Sequence, residues 1–110
     1  MQYAFVGDPA ANLSACSVQY PGPNGTSVGN ADAMVSVIVH ELEEAATDPQ
    51  LNAWYDRRGY ENADKCAWKF GSTSTDPTTD AKFNLTLGGT NYLIQQNWVN
   101  ALGGYCGLSY

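Results

Sequence analysis

The chain has 110 residues, of which 44% are hydrophobic, and a formal net charge of −6 at pH 7. This length predicts a single domain over residues 1–110, and no apolar run is long enough to span a membrane. The acidic balance argues against the basic surfaces that bind nucleic acid or anionic membranes, so neither is expected as a partner.

Two strands are predicted near the start of the chain, at residues 2–7 and 16–20, because both segments contain aromatic and β-branched side chains. A polar segment that contains Pro9 separates them. Residues 21–25 consist of proline, glycine and asparagine, so a loop is expected after the second strand.

One helix is predicted at about residues 31–48. Asn30 or Ser27 can cap its start, and Pro49 ends it. Its apolar residues recur with a 3.6-residue period, which predicts a face buried against a sheet, with Glu43 pointing to solvent. The residues expected on the buried face are Val35, Ile38, Val39, Leu42 and Ala46.

A hairpin is the clearest feature after the helix. Residues 83–87 and 91–95 have strand composition and are joined by Gly88, Gly89 and Thr90. The whole chain is therefore predicted to be an α+β domain with one central helix, packed on a small and mostly antiparallel sheet. Such an arrangement is compatible with that of the zincin peptidases.

The helix carries an H-E-x-x-E motif at residues 40–44, which resembles the H-E-x-x-H motif of zinc peptidases. His40 and Glu44 are four residues apart and project from the same helix face. Glu41 occupies the position of the general base in those enzymes, where it would polarise a metal-bound water.

A third metal ligand is expected about 20 residues downstream, from Asp64 or alternatively from Glu61. One imidazole and two carboxylates can hold Zn²⁺, and they favour Mn²⁺ or Ca²⁺ more than three histidines would. The alternative interpretation is structural: the glutamates form the exposed face of an amphipathic helix, and His40 is a hydrogen-bonded boundary residue.

The three cysteines are an odd number, so in an oxidising compartment two would pair and one would be left over. A bridge between Cys66 and Cys106 is predicted because it ties down the terminal segment, and closing a loop of about forty residues is worth roughly 4 kcal/mol. Cys16 would then be a free thiol or bridge to another chain. Three reduced core cysteines are the alternative.

Three N-x-[ST] sequons, at Asn12, Asn24 and Asn84, predict a secreted and N-glycosylated protein. Residues 1–6 look like a strand and not like a signal peptide, so a secreted protein would be a processed product or a piece of a longer chain. Several aromatic side chains could form a platform for sugar rings or pack in the core and at its rim: Trp54, Tyr55, Tyr60, Trp68 and Trp98.

The block at residues 34–45, followed by residues 47–49 and 52–55, resembles the phosphate-induced protein 1 family, which includes the plant EXORDIUM and EXORDIUM-like proteins. Further matching positions are residues 3–8, Glu61, Asp64, Cys66, residues 92–95 and Cys106. The resemblance covers most of the chain and looks like the C-terminal half of a typical member.

This resemblance implies an extracellular or cell-wall-associated protein. Plant members are linked to growth and cell expansion, and no enzymatic activity is firmly attached to the family. The family pattern resembles a Cys-x-x-x-Cys pair at the positions where this chain has Asn12 and Cys16. The resemblance therefore implies an unpaired or intermolecular thiol at Cys16.

Two functional hypotheses follow. In the first, the chain is a secreted EXORDIUM-like domain with a zincin-like metal site and acts as a metallohydrolase. In the second, it is a non-catalytic extracellular module for structure, self-assembly or carbohydrate interaction. The expected partners are extracellular or cell-wall polysaccharide and further copies of the chain.

Overall fold

The computed structural model describes residues 5–19 and 30–109. Two 3-10 helices occupy Pro9–Asn12 and Asp64–Cys66, and two α-helices occupy Leu13–Cys16 (α1) and Asn30–Thr47 (α2). Six short strands follow: β1 Ser74–Thr75, β2 Lys82–Phe83, β3 Leu85–Leu87, β4 Thr90–Tyr92, β5 Asn97–Val99 and β6 Tyr105–Gly107. The domain is therefore α+β, as predicted. Among these residues, no helix is both long and apolar enough to cross a membrane.

The two predicted N-terminal strands are not found in the described residues. For the first strand, predicted at residues 2–7, residues 5–7 have no regular structure and residues 2–4 lie outside the described part. The chain turns into helix because the Asp8 carboxylate accepts the N–H of Ala10 at 2.9 Å, with Pro9 in the first turn. Cys16 ends α1 where the second strand was expected, so this prediction is wrong.

Helix α2 occupies the predicted segment, but the predicted buried face is wrong. Ala33 and Ser36 are the buried residues of the helix, with exposed fractions of 3% and 7%, whereas Leu42 is 65% exposed. Glu43 was expected in solvent and instead accepts a hydrogen bond from the Asn62 amide at 3.3 Å. The rest of the chain packs against the helix face that carries Ala33 and Ser36. The spacing of the apolar residues could not show which face would be covered.

The single predicted sheet is also wrong: in the part of the chain that the structure describes, the strands form three separate antiparallel pairs, β1–β2, β3–β4 and β5–β6. The predicted hairpin is the β3–β4 pair, in which Leu85 faces Tyr92 and Leu87 faces Thr90. Gly88 and Gly89 form its two-residue turn with φ values of 58° and 81°, which favour glycine.

The hairpin strands are shorter than predicted because side chains take over their hydrogen bonds. The N–H of Leu93 donates to the Asp32 carboxylate at 2.8 Å, and the N–H of Ile94 donates to the Asn84 side chain at 2.9 Å. The β3–β4 pairing therefore ends at Tyr92. The chain after Tyr92 is hydrogen-bonded instead to Asp32 on helix α2 and to Asn84, the residue before β3.

The predicted disulfide between Cys66 and Cys106 is present and joins a buried residue to half-buried strand β6. Cys66 has no exposed surface, and Leu93 and Ile94 are 5% and 9% exposed. Among the described residues, four polar side chains are at least as buried as Ile94, namely Ser36, Asp48, Asn62 and Gln95. Cys16 is a free, half-buried cysteine.

Candidate metal centre

Helix α2 brings His40 and Glu44 together, one turn apart on the face that contacts the rest of the domain. The distance between His40 Nε2 and Glu44 Oε1 is 3.2 Å. Their side chains are only 15% and 12% exposed. The H-E-x-x-E spacing therefore places two ligand atoms side by side at a largely buried position.

Asp64 completes the group from a different segment. It begins the 3-10 helix that ends at the disulfide-bonded Cys66, and its Oδ1 lies 3.5 Å from His40 Nε2. Its backbone N–H donates to Glu44 Oε1 at 3.1 Å, which links the segment directly to the helix. One ligand atom from each of His40, Glu44 and Asp64 lies within 4.8 Å of the others.

The electrostatics of this group are unfavourable for its carboxylates. Burial raises the pKa of the Glu44 carboxyl above its usual value, nearby Asp64 and Glu61 raise it further, and His40 opposes them. Removing Glu44 from water and placing it beside other carboxylates thus disfavours its charged form. A bound cation would offset that repulsion.

Glu61, the alternative ligand, supports the group without joining it. Its backbone N–H donates to Asp64 Oδ2 at 3.3 Å. The pKa of its side chain is raised by burial first and then by Asp48, Asp64 and Glu41. Glu61 thus adds negative potential near Asp64.

Glu41, the predicted general base, has an exposed side chain on α2. It lies outside the group of three ligand atoms. Its residue position is about 100° round the helix from His40, as expected for neighbours in an α-helix.

Sequence reasoning missed two residues beside the group. Ser36 lies one turn before His40 on the same face, and both Ser36 Oγ and His40 Nδ1 are buried without a hydrogen-bond partner among the described residues. The i, i+4 spacing from His40 could have indicated Ser36. Asp48 was also missed: its carboxylate accepts the N–H groups of Asn52 and Ala53 at 2.6 and 2.9 Å and fixes the turn after α2.

The predicted glycan acceptors differ in accessibility. Asn12 is exposed on the surface. The Asn84 Nδ2, to which a glycan would be attached, already donates to the carbonyl groups of Phe70 and Ile94, both at 2.8 Å. Attachment there would disrupt these bonds, so the structure favours Asn12 over Asn84. Asn24 lies outside the described residues.

The predicted aromatic platform is divided in the structure. Trp54, Tyr55 and Trp98 line a common cleft. Tyr60 is 48% exposed and lies under the guanidinium group of Arg58, and Trp68 borders a small cavity together with Cys16.

The conserved region that defines the phosphate-induced protein 1 family matches residues 2–106 of this chain. The chain belongs to this family. A family relative, the protein EXORDIUM-like 3 of Arabidopsis thaliana, is 33% identical over an alignment of 132 positions. That alignment covers 96% of the chain and 38% of the relative, so the chain spans well under half of the relative's length. No solved structure matches the chain significantly.

Proposed function

We propose that this chain is an extracellular domain of the phosphate-induced protein 1 family that binds a divalent cation through His40, Glu44 and Asp64. The observation that carries the proposal is the convergence of three ligand atoms from two separate segments within 4.8 Å. Asp64 is 20 residues beyond Glu44, so the fold, and not helix geometry alone, brings the third atom in.

The distances support a cation. Two ligands of a tetrahedral zinc ion lie about 3.4 Å apart when each metal–ligand bond is about 2.1 Å. The His40 Nε2 atom lies 3.2 Å from Glu44 Oε1 and 3.5 Å from Asp64 Oδ1. These two distances match a shared Zn²⁺, the Glu44 and Asp64 ligand atoms lie within 4.8 Å of each other, and the two carboxylates also suit Mn²⁺ or Ca²⁺.

The effect of the cation would be to join helix α2 to the segment around the disulfide. Glu44 belongs to the helix, whereas Asp64 is two residues before Cys66. A cation shared by these side chains would add a cross-link close to the Cys66–Cys106 bridge. We therefore infer a role in stabilising the domain.

Hydrolysis is the less supported function. A metallohydrolase needs a general base beside the metal-bound water as well as the ligands. Glu41 is the candidate for that role, but its side chain is exposed to solvent and not held beside the group. Cation binding consequently ranks above catalysis.

The extracellular location is supported by the disulfide and the sequons. Structural disulfides persist in oxidising compartments and are rare in the cytosol. The exposed sequon at Asn12 is available for a glycan. Peptide mass spectrometry of the protein from its natural source should find the Cys66–Cys106 bridge and a glycan at Asn12, and detection of only reduced, unmodified peptides would contradict secretion.

The cation is tested by thermal unfolding. EDTA should lower the melting temperature, and Zn²⁺, Mn²⁺ or Ca²⁺ should restore it, because a ligand at a hundred times its Kd adds about 2.7 kcal/mol of stability. Glu44→Gln should abolish the response. Glu41→Gln is the matched control, since it removes the same charge from the same helix but should keep the response.

Two results would contradict the proposal. One is a melting temperature that none of the three cations changes, together with no metal in elemental analysis of freshly isolated protein. The other is an equal loss of cation response in Glu41→Gln and Glu44→Gln, because this would indicate a general effect of acidic charge and not ligation.

A further inference from the structure

A cleft separate from the cation ligands is lined both by residues after helix α2 and by strand β5. It consists of two adjoining cavities of about 320 and 420 Å³, and Trp54, Trp98 and Asn100 line both. Among the described residues that line it, none is His40, Glu44 or Asp64.

Trp54 is held at the surface in an unfavourable conformation. Its side chain is 58% exposed, and its φ of 57° lies in the left-handed region, which is costly for a bulky residue. The buried Asp48 carboxylate binds the N–H groups of Asn52 and Ala53 and so fixes the chain just before Trp54. The turn therefore presents the Trp54 indole outward, into the cleft.

Trp98 provides a second, firmly held aromatic surface. Its backbone N–H donates to Asn62 Oδ1 at 2.7 Å, and it faces the disulfide-bonded Cys106 in the β5–β6 pair. The Lys65 ammonium group lies 3.8 Å from the centroid of its ring. The indole of Trp98 is therefore fixed before any ligand arrives.

The polar lining of the cleft includes three amide side chains. Asn62, Asn97 and Asn100 all border it. The Asn97 Oδ1 is buried and has no hydrogen-bond partner among the described residues. Asn62 already donates to Glu43 and accepts from Trp98, so Asn97 and Asn100 are the amides that could bond the hydroxyl groups of a sugar.

The charges near the cleft favour a neutral ligand. Among the described lining residues, Glu43 has the one carboxylate, and it accepts a hydrogen bond from Asn62. The Lys65 charge is placed over Trp98. The net charge of −6 would also repel acidic polymers.

We propose that this cleft binds a neutral oligosaccharide of β-linked pyranose units. The flat, C–H-rich faces of such rings can pack on the exposed rings of Trp54 and Tyr55, and their hydroxyl edges can bond to the Asn100 amide. The binding does not depend on the proposed cation, because the two sites use different side chains.

The test is isothermal titration calorimetry of the whole chain with cellohexaose, xylohexaose and an acidic hexagalacturonate. At least one neutral oligosaccharide should bind, and Trp54→Ala should weaken this binding about tenfold or more. Trp68→Ala is the matched control: Trp68 is 50% exposed with a φ of 61°, but it does not line the cleft. The affinity of the Trp68→Ala variant for the neutral oligosaccharide should equal that of the parent.

Binding should persist in EDTA and in Glu44→Gln, so failure of the cation proposal would leave this one standing. It would be overturned if neither neutral oligosaccharide bound, or if Trp54→Ala and Trp68→Ala weakened binding equally. Tighter binding of hexagalacturonate than of both neutral chains would also overturn it. Loss of binding in EDTA would place the sugar at the cation and not in the cleft.

Discussion

The side chain of Asn62 accepts the backbone N–H of Trp98 at 2.7 Å and donates to the Glu43 carboxylate at 3.3 Å. Asn62 is 3% exposed, so these bonds are shielded from water. One buried amide thereby connects helix α2 to strand β5. It also lies two residues before Asp64, so the proposed cation site and the aromatic cleft share the same support.

Asn62→Ala is expected to lower the free energy of unfolding by roughly 1–3 kcal/mol, because it leaves the buried N–H of Trp98 without an acceptor. Urea unfolding at neutral pH measures the change. Asn100→Ala is the control, since Asn100 is exposed and its loss should cost less than about 0.5 kcal/mol. Equal effects would show that the Asn62 bonds contribute nothing specific.

The orientation of helix α2 can be tested with two substitutions. Ala33→Leu should cost about 1–3 kcal/mol because it overpacks a position that is 3% exposed. Leu42→Ala should change stability by less than about 0.5 kcal/mol because Leu42 is 65% exposed. If Leu42→Ala proves the more damaging in chemical unfolding, the helix presents its apolar face inward after all.

Gly104 gives Trp98 the room to pack. Its φ is +88°, and a Cβ at this position would overlap the six-membered ring of Trp98. Gly103 is the matched control, because its φ is +91° and a Cβ added there would meet no atom within 4 Å. Both alanine substitutions carry the backbone strain, so Gly104→Ala should lower the melting temperature further than Gly103→Ala. Equal shifts would mean that Trp98 can move aside freely.

Asp76 predicts a pH dependence of stability. Its pKa is lowered, first by the N–H of Thr78 and then by the Asn91 amide and the N–H of Thr79. The ionised carboxylate therefore stabilises the fold above the usual aspartate pKa, and this contribution is lost as pH falls through the lowered pKa.

The measurement is urea unfolding of the parent and Asp76→Asn from neutral pH to about pH 2. Asp76→Asn should be less stable at neutral pH, and the difference should shrink on acidification. Asp80→Asn, at an exposed position in the same turn, is the control and should track the parent. A difference that stays constant with pH would contradict the assignment to Asp76.

Local patterns predicted local structure well. The 3.6-residue period located helix α2, and Gly88 with Gly89 located the β3–β4 turn, because both signals depend on near neighbours in sequence. The same period misplaced Leu42, because it cannot show which helix face the rest of the chain covers. The strand predicted at residues 16–20 was wrong because the chain is already helical from Pro9 to Cys16, after the helical turn that Asp8 caps.

In the candidate site, too, relationships local in sequence were predicted and most long-range ones were not. The four-residue spacing was enough to place His40 beside Glu44, and an acid about 20 residues downstream proved to be near them. The aromatic platform suggested by the sequence included Trp54 and Trp98, which do line a common cleft, but also Tyr60 and Trp68, which do not, because composition cannot show which distant aromatic side chains the fold brings together. Distant pairs of this kind require the folded chain.

The unusual burial pattern has a thermodynamic consequence. In the described residues, the polar side chains of Asp48 and Asn62, each 3% exposed, are shielded more completely than Leu93 and Ile94. The heat-capacity change of unfolding rises with newly exposed apolar area and falls with exposed polar area. Calorimetry should therefore give a small heat-capacity change for this chain length and a flat stability curve. A fold of this kind gains little from cooling and loses stability slowly on warming.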